Sequence, residues 1–307
     1  MSQETIERTF EVGTPASLKL SNIRGSVDIQ AGQDGVIEVT AIKFVNSGNE
    51  KKTNVIIEQK EDGRVIVKTD YENSISNWFG LNKPCKVEYT VCVPKDCDLN
   101  VSNVSGGVSV QGVAGQMNVN SVSGGLHLRD LSGSLKFSTV SGSIKAENLA
   151  GPLDLNAVSG RVRIAESNIS EAVVKTVSGS IVMDTPLAEG PYMFKGVSGS
   201  LTLVVPEDTG CVAIHKSVSG RLKTSLPISK DKRYGSRGWL EIQGGGPEVT
   251  YKSVSGSFKV VTAEDEKIVE QRKPVKPAPQ PKNQMEILQK IERGDLSVED
   301  ALEELNA

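Results

Sequence analysis

Residues 119–164 read VNSVSGGLHLRDLSGSLKFSTVSGSIKAENLAGPLDLNAVSGRVRI, nearly the same phrase every nine residues. Glycines fall at 106, 115, 124, 133, 142, 151 and 160, and Val-Ser-Gly returns at every second one, so the full period is 18 residues with two bends in each. A fixed period decides an architecture and has to be read before anything else. The apolar residues keep the same clock: Val122, Leu126, Leu128, Leu131, Leu135, Phe137, Val140, then Ile144, Ala146, Leu149, Leu153, Leu155 and Val158. Pairs such as Leu126 and Leu128 are two apart, the strand period, while the longer gaps hold the bends. Each nine-residue unit is a short strand followed by a sharp corner.

A strand of four residues with one apolar face cannot fold alone. Stacked copies bury that face continuously and pair their backbones at about 4.8 Å per layer, which predicts an all-β protein built as a β-solenoid of about 18-residue rungs. Later corners at Gly179, Gly199, Gly220 and Gly256 follow at intervals of 19, 20, 21 and 36 residues, so small loops and then one larger insertion enter the repeat. The 150 residues from Gly106 to Gly256 correspond to up to eight turns if the last interval hides two, a rod of roughly 40 Å. The corner glycines Gly106, Gly124, Gly142, Gly160, Gly179, Gly199, Gly220 and Gly256 are expected to supply positive φ at the bend. The adjoining serines, Ser105, Ser123, Ser141, Ser159, Ser178, Ser198, Ser219 and Ser255, are expected to hydrogen-bond backbone groups freed there, a ladder that could alternatively be a binding surface.

The repeat appears once near the start, in LKLSNIRGSVDI, where Leu18, Leu20, Ile23, Val27 and Ile29 keep the spacing of Leu153, Leu155, Val158, Val162 and Ile164. VIEVTAIKFV, TNVIIEQKEDGRVIVKTD and CKVEYTVCVPKDCDLNV then alternate as strands. Residues 1–100 thus read as N-terminal strands with one early rung, forming an antiparallel cap. Such a cap is needed because an open terminal rung exposes unpaired backbone. Residues 101–261 are the repeat domain.

Two insertions escape the pattern, and they hold both tryptophans. Trp78 and Phe79 lie in YENSISNWFGLNK, and Arg233, Tyr234, Arg237 and Trp239 lie in SLPISKDKRYGSRGWLEIQGGGPEVTY. Aromatics beside cations in loops suit ligand or membrane-interface recognition, although aromatics also serve simply to fill cap cores.

After Val261 the composition changes. Residues 262–282 are charged and proline-rich and read as an extended spacer. Residues 283–307 contain MEILQKIERGDLSVEDALEELNA, whose spacing is helical: Met285, Leu288 and Ile291 share a face, Gly294 ends that helix, and Val298, Ala301, Leu302 and Leu305 form a second stripe. So short a hairpin cannot supply its own core, and its apolar face, centred on Leu288, Ile291, Leu302 and Leu305, is expected to meet a protein partner, a second copy or the solenoid. Its seven acids against two bases argue against attraction of the hairpin itself to anionic lipid. The Arg293-Gly294-Asp295 tripeptide sits at the turn, where glycine and aspartate are expected anyway.

The composition bounds function. A net charge of −3, 37% apolar and 4% aromatic residues and 30 glycines describe an aliphatic, turn-rich chain without a bulk-charge case for nucleic-acid binding. No basic start precedes an apolar run and no window reaches a spanning length, so no transmembrane segment is expected and the cytoplasm is the default compartment, with envelope association left open. Cys85, Cys92, Cys97 and Cys211 match no common zinc spacing and read as reduced, semi-buried side chains. His127 and His215 have no acid at motif spacing. No catalytic, metal or cofactor residues are therefore expected.

The VSGS and VSGR corners, the VEYTVCVPKDCDLNVSNVSG transition and the early SNIRGSVDI resemble the bacterial putative-adhesin family, a β-strand repeat domain of unknown function, over roughly residues 8–261. The tail ILQKIERGDLSVEDALEELN is similar to the short helical module called SHOCT-like. The resemblance implies a setting in cell-envelope stress and carries no catalytic residues. The function expected is a non-enzymatic adhesin-like scaffold or binding protein whose hairpin mediates oligomerisation or partner binding, its ligand unidentified. A polymer-forming cytoskeletal scaffold is the alternative, and a polysaccharide-acting enzyme is a third reading that lacks the clustered carboxylates it needs.

Overall fold

A computed structural model describes residues 2–45, 53–71 and 84–266, and apart from one helical turn at its end every regular element in it is a strand. The chain divides into two compact units, Met1–Phe137 and Ser138–Ala307.

In the first unit the repeat is realised by β8 (Cys97–Ser105) and β9 (Val108–Gln111), on which β10 (Ala114–Ser123) and the start of β11 (Leu126–Ser141) stack in parallel. Met117 lies beside Leu99 and Leu126 beside Val108, a displacement of one 18-residue period. The early rung is β2 (Ala16–Arg24) with β3 (Val27–Ala31), and it pairs with β8 and β9 on one side. On its other side it pairs, again in parallel, with β6 (Val65–Tyr71) and β7 (Lys86–Val93). Antiparallel strands close this end: β5 (Thr53–Gln59) on β6, β4 (Val36–Val45) on β7, and β1 (Ser2–Glu11) on β4. The outermost, β1, carries Glu4, Glu7, Arg8 and Glu11 and is almost wholly exposed, a charged edge of the kind that discourages further pairing.

The second unit stacks β12 (Ile144–Ala165), β13 (Asn168–Asp184) and β14 (Tyr192–Val204) in chain order. The next rung is the last one in sequence: β19 (Glu248–Val261) lies between β14 and the pair β15 (Cys211–Ser219) and β16 (Leu222–Thr224). The 36-residue interval before Gly256 therefore hides no second turn, and the condition for the eighth turn is not met. It holds the antiparallel hairpin of β17 (Ile228–Tyr234) and β18 (Arg237–Ile242), and β18 pairs with the outer edge of β15. The inversion leaves the β15 half of the final rung covered by β18, and the edge the hairpin presents, β17, is exposed along its length and carries Lys230, Asp231, Lys232 and Arg233.

Inside, the aliphatic rows are buried as the period requires, joined by Tyr89, Phe137, Tyr192, Phe194, Tyr251 and Phe258, all nearly inaccessible. Each fully buried side chain of this size stabilises by about 1.5–3 kcal/mol, so the repeated rows rather than any single contact hold the stack.

The corners differ from expectation in their cause. Gly106, Gly160, Gly179, Gly199 and Gly220 do lie at φ between 131° and 157°, but Gly124, Gly142 and Gly256 are not in that region. What the corners share is close stacking: a Cβ on Gly179 would run into the carbonyl oxygen of Gly160, one on Gly199 into that of Gly179, one on Gly256 into that of Gly199 and one on Gly220 into that of Gly256. The serines beside them are exposed or half-exposed and make no side-chain hydrogen bond among the described residues. The bonding is done two residues before the serine, three before the glycine: Asn103 Nδ2 donates to Gly25 O at 3.0 Å and Gly106 O at 2.9 Å, and Ser121 Oγ to Gly124 O at 3.3 Å. The inward-turned glycine carbonyls need those donors, because unpaired buried carbonyls are costly.

Candidate functional site

The rungs of the second unit put like residues beside like. Lys175 lies opposite Lys195, Lys195 opposite Lys252, and Lys252 opposite Lys216, on strands β13, β14, β19 and β15 in that spatial order. Arg237 on β18 stands opposite Lys216 and extends the row to five cations. Flanking inward neighbours such as Phe194 and Tyr251 are buried, so the alternation of the strand turns the lysines outward. None of the four has an ion-pair partner among the described residues. Stacked at about 4.8 Å, unit charges repel by at most about 0.9 kcal/mol per neighbouring pair in a water-like dielectric. The repulsion is tolerated four times over on one face.

A row of valines and a second, mostly apolar row flank the cations. On one side are the corner valines Val177, Val197, Val254 and Val218, the last three exposed to 49%, 53% and 66%. On the other are Val173, Met193, Thr250, Ile214 and, opposite Ile214, Trp239. Four of the seven large apolar side chains that are exposed among the described residues, Met193, Val197, Val218 and Val254, belong to this one face. In the same column the valines of the preceding corners, Val140 and Val158, are only 1% and 2% exposed. At the β18 end a groove of about 440 Å³ is lined by Ile214, Lys216, Val218, Arg237, Trp239 and Ser253.

Of the residues singled out from sequence, Arg237 and Trp239 thus meet on this face, and Tyr234, opposite Arg237, continues it as an 83% exposed side chain. Lys232, opposite Trp239, places its ammonium 5.5 Å from the indole centroid. Arg233 points to the other side of the hairpin. Its guanidinium donates to Asp231 and, at 3.0 Å, to Leu222 O, and the bonds to Asp231 hold that carboxyl below the usual carboxylate range. Trp78 and Phe79, and the hairpin residues Leu288, Ile291, Leu302 and Leu305, lie outside the described residues. The lysine row is the feature that sequence reading passed over, and its signal is plain: KTVSG, KGVSG, KSVSG and KSVSG mark the last four corners, where the earlier ones carry Ser102, Asn120, Ser138 and Asn156.

Other polar groups are placed for structure. Burial pushes the Cys97 thiol up to about 12 and that of Cys211 to about 11, which leaves neither as a thiolate near neutral pH. His215 is fully buried, stacks on Tyr251 at 5.6 Å, and has no partner for either ring nitrogen. No group of three or more His, Cys, Asp or Glu side chains is placed to hold a metal ion among the described residues. No helix among them is long and apolar enough to cross a membrane.

Among solved structures the chain is similar to a putative adhesin from Bacteroides fragilis NCTC 9343, at 11% identity over 84% of this chain and 98% of that one, with a TM-score of 0.44. It is similar to a putative adhesin from Parabacteroides merdae ATCC 43184, at 14% identity over 84% and 96% of the two chains, with a TM-score of 0.33. It is also similar to a putative cell adhesion protein from Clostridium sporogenes ATCC 15579, at 12% identity over 84% and 100%, with a TM-score of 0.27. No curated protein matches the chain. Residues 16–261, from the first residue of β2 to the last of β19, match the family described as Toastrack DUF4097, and the helical module expected at the C-terminus falls outside that stretch. The chain belongs to the Toastrack DUF4097 family.

Proposed function

We propose that the protein is a non-enzymatic, adhesin-like binding scaffold of the cell envelope, and that the cationic face of its second unit docks on an anionic lipid surface. The observation that carries this reading is the row Lys175, Lys195, Lys252, Lys216 and Arg237, without ion-pair partners for its lysines among the described residues and bordered on one side by the exposed valines Val197, Val254 and Val218 and on the other by exposed Met193 with half-buried Ile214 and Trp239. A basic side chain close to an anionic leaflet contributes about 1 kcal/mol, and long lysine stems let the charge reach headgroups while neighbouring valines and Met193 enter the interface. Trp239 at the end of the apolar row has the amphipathic ring that favours that depth. Residues 283–307, with their two expected apolar stripes, are the proposed module for a protein partner or a second copy. Filament growth, the alternative reading, needs open end rungs, and in the second unit the β17–β18 hairpin occupies the β15 edge of the final one.

Co-sedimentation of the full chain with phosphatidylglycerol vesicles, against phosphatidylcholine vesicles, tests the reading. Binding is expected only to the anionic vesicles, declining with salt and weakened at least tenfold by the pair Lys195→Glu and Lys252→Glu. Anionic-vesicle binding that ignores the pair would remove this face from the function.

A further inference from the structure

We infer that the cationic face is a docking surface for the chain's own acidic C-terminal segment, residues 285–305, which covers it in cis until an anionic surface displaces it. The inference rests on the reading of that face as an anion-binding surface and names its resident occupant.

Shape is the first argument. Three rows two residues apart span about 13 Å across the strands, and five rungs span about 19 Å along the stack. Two packed helices have axes about 8–10 Å apart, within the roughly 13 Å that separates the outer rows, so a short helical hairpin laid along the stack can set one helix over each apolar row with its flanks overhanging them. Two apolar rows with cations between them call for two apolar stripes with acids between them. The tail sequence has that composition: Met285, Leu288 and Ile291 in one expected stripe, Val298, Ala301, Leu302 and Leu305 in the other, and seven acids against two bases.

Charge is the second argument. The repulsion along the lysine row is relieved by any counter-anion held over it, and a tethered one is present at millimolar effective concentration without any partner. Glu286, Glu292, Glu299, Glu303 and Glu304 supply that anion from the same chain.

Reach is the third. The last described residue, Glu266, pairs with Arg163 on β12 at 2.9 Å, so the chain is anchored within the same unit and on the rung next to β13, where the cationic row begins. From there 18 residues, 267–284, precede the segment. Extended, they span up to about 60 Å, about three times the length of the face. Along the valine column exposure rises from 2% at Val158 on β12 to 49% at Val197 on β14, so the exposed part of the face begins past the rung that anchors Glu266.

Docking in cis makes the tail a competitor of the lipid surface, and lipid binding would release the tail's apolar stripes to a second partner. The test is zero-length carbodiimide coupling of the full chain at low concentration, which joins lysines to carboxylates in direct contact. The monomer fraction should yield links from Lys195, Lys216 or Lys252 to acids between Glu286 and Glu304. Links confined to a dimer fraction, or running from the tail to other lysines only, overturn the inference. In parallel, the chain carrying E286Q, E292Q, E299Q, E303Q and E304Q should bind phosphatidylglycerol vesicles about tenfold more tightly than the unaltered chain. If that variant binds no better yet remains sensitive to Lys195→Glu and Lys252→Glu, the tail inference fails and the face stands. If vesicle binding is insensitive to those lysines in both chains, the reading of the face fails first.

Discussion

Lys195 and Lys252 face each other across adjacent parallel strands, on a surface where neither has an ion-pair partner among the described residues. Like charges directly opposite on a sheet are destabilising, so this pair reduces the stability of the fold that displays it. In the chain whose five tail glutamates are replaced by glutamine, so that no tethered anion offsets the row, Lys252→Gln should raise unfolding stability by about 0.2–1 kcal/mol. The gain should shrink as salt screens the row. Urea titrations at two salt concentrations measure it, and a loss of stability would show that Lys252 is held by a partner instead.

The glycine column separates clearance from hydrogen bonding at the corners. Gly199→Ala places a methyl against the carbonyl of Gly179, at a φ of 155°. Overpacking against backbone cannot be relieved by a rotamer change, and a cost of about 3 kcal/mol is expected. Ser198→Ala, one residue away on an exposed side chain, should stay within about 0.5 kcal/mol. Equal effects from the two substitutions would restore the serine to a structural role.

Much of the rung was legible because burial has a period. Leu126, Leu128, Leu135, Phe137, Leu153 and Leu155 are all buried, as the nine-residue clock requires. The stacking order was not legible, since a sequence period records how often the chain bends and not which rung the next strand joins. Thus β19 enters between β14 and β15 although its corner, Gly256, comes last. The outward face was hidden for a related reason. Lys175, Lys195, Lys216 and Lys252 are spaced 20, 21 and 36 residues apart, and only the register of the strands shows them as one row.

The second corner has its own conformational ladder. Gly112, Asp130, Asn148 and Glu166, each 18 residues after the last, all lie at left-handed φ, 77°, 54°, 54° and 50°. Glycine adopts that region freely and Asp and Asn tolerate it, whereas Glu has no such compensation. Glu166→Gly should therefore stabilise the fold by about 0.5–1 kcal/mol, the larger freedom of glycine in the unfolded chain offsetting part of the relief. Thermal unfolding of the variant checks this, and a lowered midpoint would mean that Glu166 makes a contact worth more than its strain.

His215 gives the fold a dependence on pH. Its ring is fully buried between Tyr251, stacked at 5.6 Å, and Phe258, edge-on at 6.5 Å. Burial, partly opposed by the nearby Gly256 backbone, holds its pKa below the ordinary histidine value. The native state therefore keeps the ring neutral, while the unfolded chain takes up a proton near pH 6.5. Above that pH neither state is protonated and the histidine contributes no slope. As the pH falls through 6.5 the unfolded state binds more protons, and stability declines by up to about 1.4 kcal/mol per pH unit until the folded pKa is reached. His215→Phe, similar in shape and packed against the same rings, removes the titrating group and should flatten the part of the curve between pH 6.5 and the carboxylate range. Urea unfolding of both chains at half-unit pH steps decides it. Parallel curves would locate the proton uptake at another group.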